Sequence, residues 1–275
     1  MNDAVAADHD PTAAAAVRAE LDLGGRRLSY VDFGGPGRPL LALHGHLSEG
    51  RTFAGVAREL GAEWRVIAPD LRGHGDSERA PEYSREGYIA DIVSLLEHLG
   101  LGPVPVLGHS GGAITGYQLA ARHPQLVSAL INEEGPVSLP AGGPSPLAFV
   151  LNFPYTAPGR EELLASLGPV IGAMVGANLR ELPDGSWRLP FHPQDTVDSE
   201  ELVRGDHWAE WLASDCPALV VAGNRPPCLD GDLAKAMVER RANTQLVVLD
   251  ADHFAHDGDP AGFGRAVREF LATLG

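Results

Sequence analysis

Residues 104–112 read Val-Pro-Val-Leu-Gly-His-Ser-Gly-Gly, a short apolar run that ends in a G-x-S-x-G motif. The run predicts a buried strand, and residues 113–122 after it predict a helix. A serine on a sharp turn between a strand and a helix has a strained backbone, and small neighbours are needed for close chain approach. Gly108 and Gly112 meet this need. We therefore predict that Ser110 is a nucleophile beside the N-terminus of the helix.

Similar apolar runs recur along the chain and alternate with segments of helical periodicity. Residues 84–99 form one such segment, with Ser84 as N-cap, and residues 259–274 form another, with Asp259 as N-cap. Runs that are apolar throughout are typical of strands buried on both faces of a parallel sheet, so the alternation predicts an α/β fold. A hairpin is expected around residues 24–25. The other apolar runs are residues 39–43, 65–69, 126–131, 217–222 and 245–249.

One long segment interrupts this alternation. Residues 137–212 separate two predicted strands that a simple crossover joins in about fifteen residues. Because the segment is also rich in aromatic residues, we predict a mostly helical cap inserted after strand 6 and laid over the carboxyl edge of the sheet. A helical insert that only adds core is the alternative. Residues 17–136 and 213–275 then form the core domain, and the Ala-rich residues 1–16 are predicted to be disordered.

A serine nucleophile requires a base and donors for the oxyanion. Of eleven histidines, His253 follows the last predicted strand, at the edge where α/β sheets hold their sites. We predict it as the base, with His256 as the alternative. The expected oxyanion donors are the backbone amides of Gly111 and His46. The spacing of His44 and His46 lacks an HExxH helix and a nearby carboxylate, so we predict no metal and no cofactor.

The acid that orients the base has an unusual predicted position. The usual loop, after the penultimate strand, reads Gly-Asn-Arg-Pro at residues 223–226, with Pro where Asp is expected. The strand after the nucleophile helix instead ends in Glu133 and Glu134. Because side chains alternate along a strand, one of the two is expected to face the site. We predict Glu133, and the alternatives are Glu134 and Asp230.

Together these motifs resemble the α/β-hydrolase fold superfamily, over residues 21–136 and 213–275. The resemblance implies an eight-stranded, mostly parallel sheet with one antiparallel strand, flanked by helices and carrying a helical cap. The motifs are Leu43-His44-Gly45, Asp70-Leu71-Arg72-Gly73-His74-Gly75-Asp76-Ser77, Gly108-His109-Ser110-Gly111-Gly112 and Asp252-His253.

Within the superfamily the chain is similar to serine esterase-like members whose triad acid follows strand 6. Those members carry a D-I-x-P-like segment, which aligns with residues 133–136 and places Glu133 on the acid. Two departures stand out. Glu replaces Asp and is longer by one methylene, and Gly111 stands where many members have a larger residue, often Met. The second departure predicts a more open pocket beside the nucleophile.

The composition bears on partners and location. The chain has 21 Lys and Arg against 37 Asp and Glu, a net charge of −16, so we expect no nucleic acid and no anionic membrane as partner. Two cysteines make no disulfide framework, and no run of eighteen apolar residues predicts a spanning helix. Residues 1–10 hold three Asp and no Lys or Arg, unlike a secretory signal, so we expect a cytoplasmic protein. A single lysine indicates GC-rich coding and a bacterial source.

The residues and the resemblance predict a serine hydrolase. It would cleave a carboxylic ester, thioester or lactone of a small to medium apolar molecule through an acyl-enzyme. The same triad supports C–C bond hydrolysis, perhydrolysis or a lyase reaction, which remain alternatives. A non-catalytic small-molecule receptor is a further alternative that the intact Ser110 and His253 disfavour. The expected partner is a small-molecule substrate, and a monomer or a homodimer is compatible with the sequence.

Overall fold

The structure is a computed structural model that describes residues 16–225 and 228–275. The predicted disordered N-terminus, apart from residue 16, lies outside the described residues, as does Pro226. The strands are β1 (Val17–Asp22), β2 (Arg27–Asp32), β3 (Arg38–Leu43), β4 (Trp64–Pro69), β5 (Val104–His109), β6 (Val127–Glu133), β7 (Ser138–Leu139), β8 (Thr156–Ala157), β9 (Arg180–Glu181), β10 (Trp187–Arg188), β11 (Gly205–Asp206), β12 (Ala218–Gly223) and β13 (Thr244–Leu249).

Helices lie between most of these strands. The α-helices are α1 (Ala54–Leu60), α2 (Arg85–His98), α3 (Gly111–Arg122), α4 (Arg160–Val175), α5 (Pro193–Glu201), α6 (Trp208–Leu212), α7 (Gly231–Arg240), α8 (Ala255–Gly258) and α9 (Pro260–Ala272). Short 3-10 helices cover Gly50–Phe53, Gly61–Glu63, Pro124–Leu126, Ala148–Asn152 and Gly176–Asn178.

The main sheet has eight strands in the order β1-β2-β4-β3-β5-β6-β12-β13. Strand β2 pairs antiparallel with β1 and β4, whereas the neighbours from β4 to β13 pair in parallel. The predicted fold class, a mostly parallel eight-stranded α/β sheet with a helical insert after strand 6, is confirmed. The predicted hairpin is also confirmed, with Leu21 opposite Leu28.

The apolar strands are explained by burial on both faces of the sheet. In β3, Leu41 and Leu43 belong to one apolar cluster with α2, α3 and α7, while Leu40 and Ala42 belong to a second cluster with α1 and α9. Side chains alternate along a strand, so every position of β3 needs an apolar residue when both faces are covered. The polar ends of these strands then meet at the carboxyl edge.

Side-chain caps fix where several helices begin. The Ser84 hydroxyl accepts a hydrogen bond from the Gly87 amide (3.1 Å) at the start of α2, as predicted. The Asp259 carboxylate accepts one from the Gly262 amide (2.9 Å) at the start of α9, also as predicted. Such caps satisfy amides that have no partner inside the helix.

Residues 137–212, which we call the cap, form more than helices. Besides α4, α5 and α6 they contain a three-stranded sheet, β8-β10-β9, and a strand pair, β11-β7. Helix α4 is bent at Gly168, which has a φ of 70° and precedes a proline. Among the described residues, no helix has the length and apolar character needed to cross a bilayer.

Polar contacts bind the cap to the core. The guanidinium of Arg180, in the cap, contacts Glu49 (2.7 Å) and Asp76 (2.8 Å), and Glu49 is fully buried. The backbone of His74 bridges to Phe191, and the Gly75 amide donates to the Pro190 carbonyl (2.7 Å). The loop of residues 70–77, which carries one of the sequence motifs, therefore makes several of the contacts that hold the cap on the core.

Candidate active site

Ser110 occupies the turn between β5 and α3 in a strained conformation. Its φ is 54° and its ψ is −120°, a region that residues with a side chain rarely adopt. The Ser110 amide donates to the Glu133 carbonyl (2.8 Å), which holds the turn against β6. A Cβ added to Gly112 would collide with the carbonyl oxygen of Leu43, so glycine is required there. The small neighbours that the motif predicts have this steric reason.

Two backbone amides near Ser110 are available to an oxyanion. In the described part of the chain, no acceptor is found for the amides of Gly111 and His46. The loop that carries His46 lies close to the nucleophile turn, because a Cβ added to Gly45 would lie 2.9 Å from the Ser110 Cβ. Backbone amides without an acceptor at a helix N-terminus and in an adjoining loop are a suitable arrangement for stabilising negative charge.

The imidazole of His46 lies beside the nucleophile turn. A Cβ added to Gly111 would contact the ring at 3.4 Å, so the space that glycine leaves is filled by His46 and is not an open pocket. The ring is fixed by a 3.0 Å contact between its Nε2 and the Ser199 hydroxyl in the cap. Burial, with the neighbouring His74 ring and the charge of Arg85, lowers the pKa of His46 to about 3, so the ring is neutral.

The two consecutive glutamates contact different histidines. The Nδ1 of His253 lies 3.4 Å from the Oε2 of Glu134. Glu133 instead accepts from the backbone amide of His256 (2.8 Å) and lies 2.8 Å from its Nδ1. The structure therefore corrects the predicted pairing of Glu133 with His253: the acid beside His253 is Glu134.

The turn after β6 explains the correction. Glu133 is the last residue of the strand, whereas Glu134 has a φ of 55° and lies outside the alternating pattern. The Asn132 side chain brackets this turn, accepting from the Gly135 amide (2.9 Å) and donating to the Gly135 carbonyl (3.0 Å). Both glutamates are fully buried. The spacing of Asn132 and Gly135 is the sequence signal for such a turn.

Backbone amides hold the Glu134 carboxylate in place. Its Oε1 accepts from Gly223 (2.7 Å), and its Oε2 accepts from Cys228 (2.6 Å) and Leu229 (3.0 Å). The loop after β12, where an acid is usually expected, thus supplies donors to the acid instead. Asp230, the other alternative, caps α7 through the amides of residues 232 and 233 and is not brought to His253.

Glu133 and His256 form a buried pair behind the site. Burial alone would raise the pKa of Glu133, but the neighbouring histidines and their hydrogen bonds lower it below its ordinary value. Burial alone would lower the pKa of His256, but Glu133 raises it. The His256 ring packs between Phe53 and Phe263, with centroids 5.5 and 6.1 Å away. These shifts favour an imidazolium–carboxylate ion pair in the core.

His109, the variable residue of the motif, was not singled out by sequence reasoning. Its Nε2 lies 2.9 Å from the His253 carbonyl oxygen, and the two rings are 4.7 Å apart. Burial lowers the pKa of His109 to about 3, so the neutral ring donates from Nε2 to that carbonyl. His109 therefore positions the loop that carries His253.

A cavity of about 350 Å³ adjoins this loop, between the core and α4 of the cap. It lies next to the His253 segment, because Asp252 and Phe254 on either side of His253 line it. Leu47 continues the lining from the loop that carries His46. The remaining lining residues are Ser48, Thr52, Ala173, Met174, Asn178, Asp257 and Gly258.

His44 has a structural role in the loop after β3. Its Nε2 accepts from the Leu71 amide (2.9 Å), and its Nδ1 lies 2.7 Å from the Gly45 carbonyl. Across the described ranges, no group of three or more His, Cys, Asp or Glu side chains is arranged to hold a metal ion.

Comparisons with known proteins place this geometry in a family. The family model of the α/β hydrolase fold matches residues 38–260. The chain belongs to this family. A 3-hydroxybutyrate-oligomer hydrolase of Cupriavidus necator is 30% identical, over 90% of this chain and 94% of that protein. The lipase LipV of Mycobacterium tuberculosis is 28% identical, over 86% of this chain and 94% of that protein.

A solved structure gives the same fold. The crystal structure of E-2-(acetamidomethylene)succinate hydrolase superposes with a TM-score of 0.78 at 21% identity, covering 94% of this chain and 100% of that chain. Membership of this family, together with relatives that are named hydrolase and lipase, shows that the protein is an enzyme.

Proposed function

We propose that the enzyme is a serine hydrolase that cleaves a carboxylic ester, thioester or lactone through an acyl-enzyme. One observation carries the proposal: the strained Ser110 lies at the sheet edge where His253 contacts the buried carboxylate of Glu134. A backbone held at positive φ in a site is a common mark of function. The proposed catalytic residues are Ser110, His253 and Glu134, and Glu133 stabilises the fold through its buried pair with His256.

The proposed reaction has two steps. The Ser110 oxygen attacks the carbonyl carbon while His253 accepts its proton, and the resulting imidazolium then protonates the departing alcohol or thiol. Water attacks the acyl-enzyme, His253 takes one of its protons, and Ser110 is released with the acid product. Glu134 accepts from the Nδ1 of His253, which fixes the tautomer and stabilises the imidazolium.

The backbone amides of Gly111 and His46 would bind the oxyanion. Loss of one such donor in other enzymes costs about 3 kcal/mol. The 350 Å³ cavity beside His253 would take the bulk of the substrate, which fits a small to medium molecule. The Cupriavidus relative is named for 3-hydroxybutyrate oligomers and the Mycobacterium relative is named a lipase, and both names favour an ester substrate over a C–C bond.

Fluorophosphonate labelling tests the proposal directly. We expect a single adduct at Ser110 by peptide mass mapping, together with hydrolysis of 4-nitrophenyl esters of graded chain length. The Ser110→Ala variant is expected to lose both while keeping its fold. Full turnover by a pure, folded Ser110→Ala sample would refute the assignment, and labelling without turnover of any ester would favour another bond type on the same triad.

A further inference from the structure

A buried cation, Arg85, lines a small cavity at the nucleophile turn that is separate from the 350 Å³ cavity. Arg85, the first residue of α2, is 7% exposed. Its Nη2 donates to the Thr115 hydroxyl (2.8 Å), and its guanidinium lies 4.2 Å from the ring centroid of Tyr88. The Nε atom is buried without a hydrogen-bond partner in the structure. A guanidinium has five N–H donors, so most of the donor capacity of Arg85 is unused.

The charge of Arg85 also lacks a counter-ion. Within residues 16–225 and 228–275, no carboxylate forms an ion pair with it, and an uncompensated buried charge is among the costliest groups in a protein. Other buried arginines of this chain are compensated. Arg72 pairs with Asp91 (2.9 Å), and Arg241 donates to several backbone carbonyls.

Arg85 lies close to the catalytic turn. Together with Gly111 and His46, Arg85 lines a cavity of about 10 Å³, which is room for about one oxygen atom. Thr115, its hydrogen-bond partner, bonds the Gly111 carbonyl (3.0 Å), so a single helical turn separates Arg85 from the residue after the nucleophile. The other lining residues are His44, Gly45, Leu71, His74, Tyr88 and Ser199.

The histidines around this small cavity add no charge. Burial lowers the pKa values of His44, His46 and His74, so all three rings are neutral near pH 7. Burial also lowers the pKa of Arg85, but guanidinium titrates so far above neutrality that it stays charged. The neutral His74 ring donates from Nδ1 to the Arg72 carbonyl (3.0 Å), so its buried Nε2 is an acceptor, and Arg85 is the group here that donates to a carboxylate.

We propose that Arg85 binds a carboxylate of the substrate, so that the enzyme acts on esters that carry a free carboxylate. The inference rests on the proposed serine hydrolase and names its substrate class. Guanidinium and carboxylate match in geometry and form strong charge-assisted hydrogen bonds. The small cavity has room for one oxygen atom beside Arg85, and Gly111, the residue after Ser110, lines the same cavity.

The 350 Å³ cavity disfavours an anion. Asp252 and Asp257 line the 350 Å³ cavity, and carboxylates there repel a negatively charged group. The two cavities therefore orient the substrate, with its carboxylate toward Arg85 and its uncharged part in the 350 Å³ cavity. A net charge of −16 works against anion binding in general, so a preference for anionic esters requires a local cation.

Paired esters of matched shape test the inference. Monomethyl glutarate and methyl 5-methylhexanoate differ in a carboxylate on the acyl side, and 3-acetoxypropionate and 3-methylbutyl acetate differ in one on the alcohol side. Proton release gives kcat/KM for each. For at least one pair, we expect a preference for the charged ester of about 10- to 100-fold, the scale of a charge-assisted hydrogen bond. Equal or greater kcat/KM for both neutral esters would overturn the inference.

Variants identify the cation. Arg85→Gln should raise KM for the preferred charged ester about 10- to 100-fold more than it raises KM for the matched neutral ester. Arg85→Lys should restore part of the preference, and Arg58→Gln, on the exposed surface of α1, is the matched control. An equal loss for charged and neutral esters in both Arg85 variants would show a structural role and refute the inference.

Binding without turnover separates this inference from the proposed function. Glutarate should raise the melting temperature of Ser110→Ala, raise it less when Arg85→Lys is added, and leave it unchanged when Arg85→Gln is added; an undiminished rise in whichever of these double variants folds would refute the role of Arg85. If glutarate leaves Ser110→Ala unchanged, the anion site is refuted even where neutral esters are hydrolysed. If Ser110 is not labelled and no ester is cleaved while glutarate still stabilises through Arg85, the hydrolase proposal fails and the anion site stands.

Discussion

Exchanging each of the two consecutive glutamates for glutamine should separate catalysis from stability. In Glu134→Gln, His253 loses the carboxylate that fixes its tautomer. The corresponding loss in Ser-His-Asp enzymes is about 10⁴-fold in kcat. Because the Nδ1–Oε2 distance here is 3.4 Å, longer than a strong hydrogen bond, we expect a loss of about 10²- to 10⁴-fold.

Glu133→Gln should act on stability instead. It replaces the ion pair with His256 (2.8 Å) by a neutral hydrogen bond. Because an unpaired imidazolium is unfavourable in the core, His256 then becomes neutral. Loss of a hydrogen bond to a charged group costs about 1.5 to 3 kcal/mol. For a chain of this length, that lowers Tm by about 3 to 6 °C. We expect kcat within about threefold of the wild type.

The assay is 4-nitrophenyl ester hydrolysis well below the lowest Tm, with thermal melts followed by circular dichroism. Glu134→Gln also loses some stability, because its amide places an N–H against backbone donors from residues 223, 228 and 229. The comparison therefore depends on kcat of folded protein. If Glu133→Gln loses kcat and Glu134→Gln keeps it, our assignment of the acid is wrong.

Three further outcomes are expected. The Glu133–His256 pair stabilises the fold most between about pH 4.5 and 6.5, because the lowered pKa of Glu133 removes its contribution in acid and the raised pKa of His256 removes it as pH rises. The Tm difference between wild type and Glu133→Gln should thus shrink from about pH 5.5 to pH 9, and a constant difference would contradict the ion pair. Ser110→Gly should be inactive but more stable than Ser110→Ala by about 1 kcal/mol in chemical denaturation, because glycine adopts the φ of 54° without strain; a less stable glycine variant would argue against strain. Gly112→Ala should lose fluorophosphonate labelling at Ser110 and destabilise the protein by about 1 to 3 kcal/mol, because its Cβ collides with the Leu43 carbonyl; normal labelling would show that the turn adapts.

Much of the fold could be predicted because it follows from patterns along the chain. Strands buried on both faces give runs that are apolar throughout, and Ser84 and Asp259 mark the helix starts by their side-chain chemistry. The nucleophile turn could be predicted as well, because its close contacts with neighbouring segments allow only glycine at fixed positions of a short motif. The cap was predicted by its length, but its small strands are too short to leave a pattern.

The acid could not be chosen by the alternation of side chains, because that rule ends with the strand. Because of the left-handed turn at Glu134, both glutamates are buried, with Glu133 beside His256 and Glu134 beside His253. The roles of His46 and Arg85 depend on contacts between elements that are distant in sequence. No local spacing therefore reveals that His46 fills the place beside Gly111 or that Arg85 lacks a counter-ion.

The contacts between the cap and the core limit how this enzyme can be re-engineered by domain exchange. Ser199 of the cap holds His46, whose own backbone belongs to the loop beside the nucleophile, and Arg180 bonds the buried Glu49 of the core. A graft that replaces residues 137–212 by the insert of a relative removes both partners at once. It leaves the buried Glu49 carboxylate with the more distant Arg51 (3.8 Å) as its cation, and it leaves the His46 imidazole free to turn. Functional chimeras of this core will therefore need donor caps chosen for those two contacts before any choice made for the substrate.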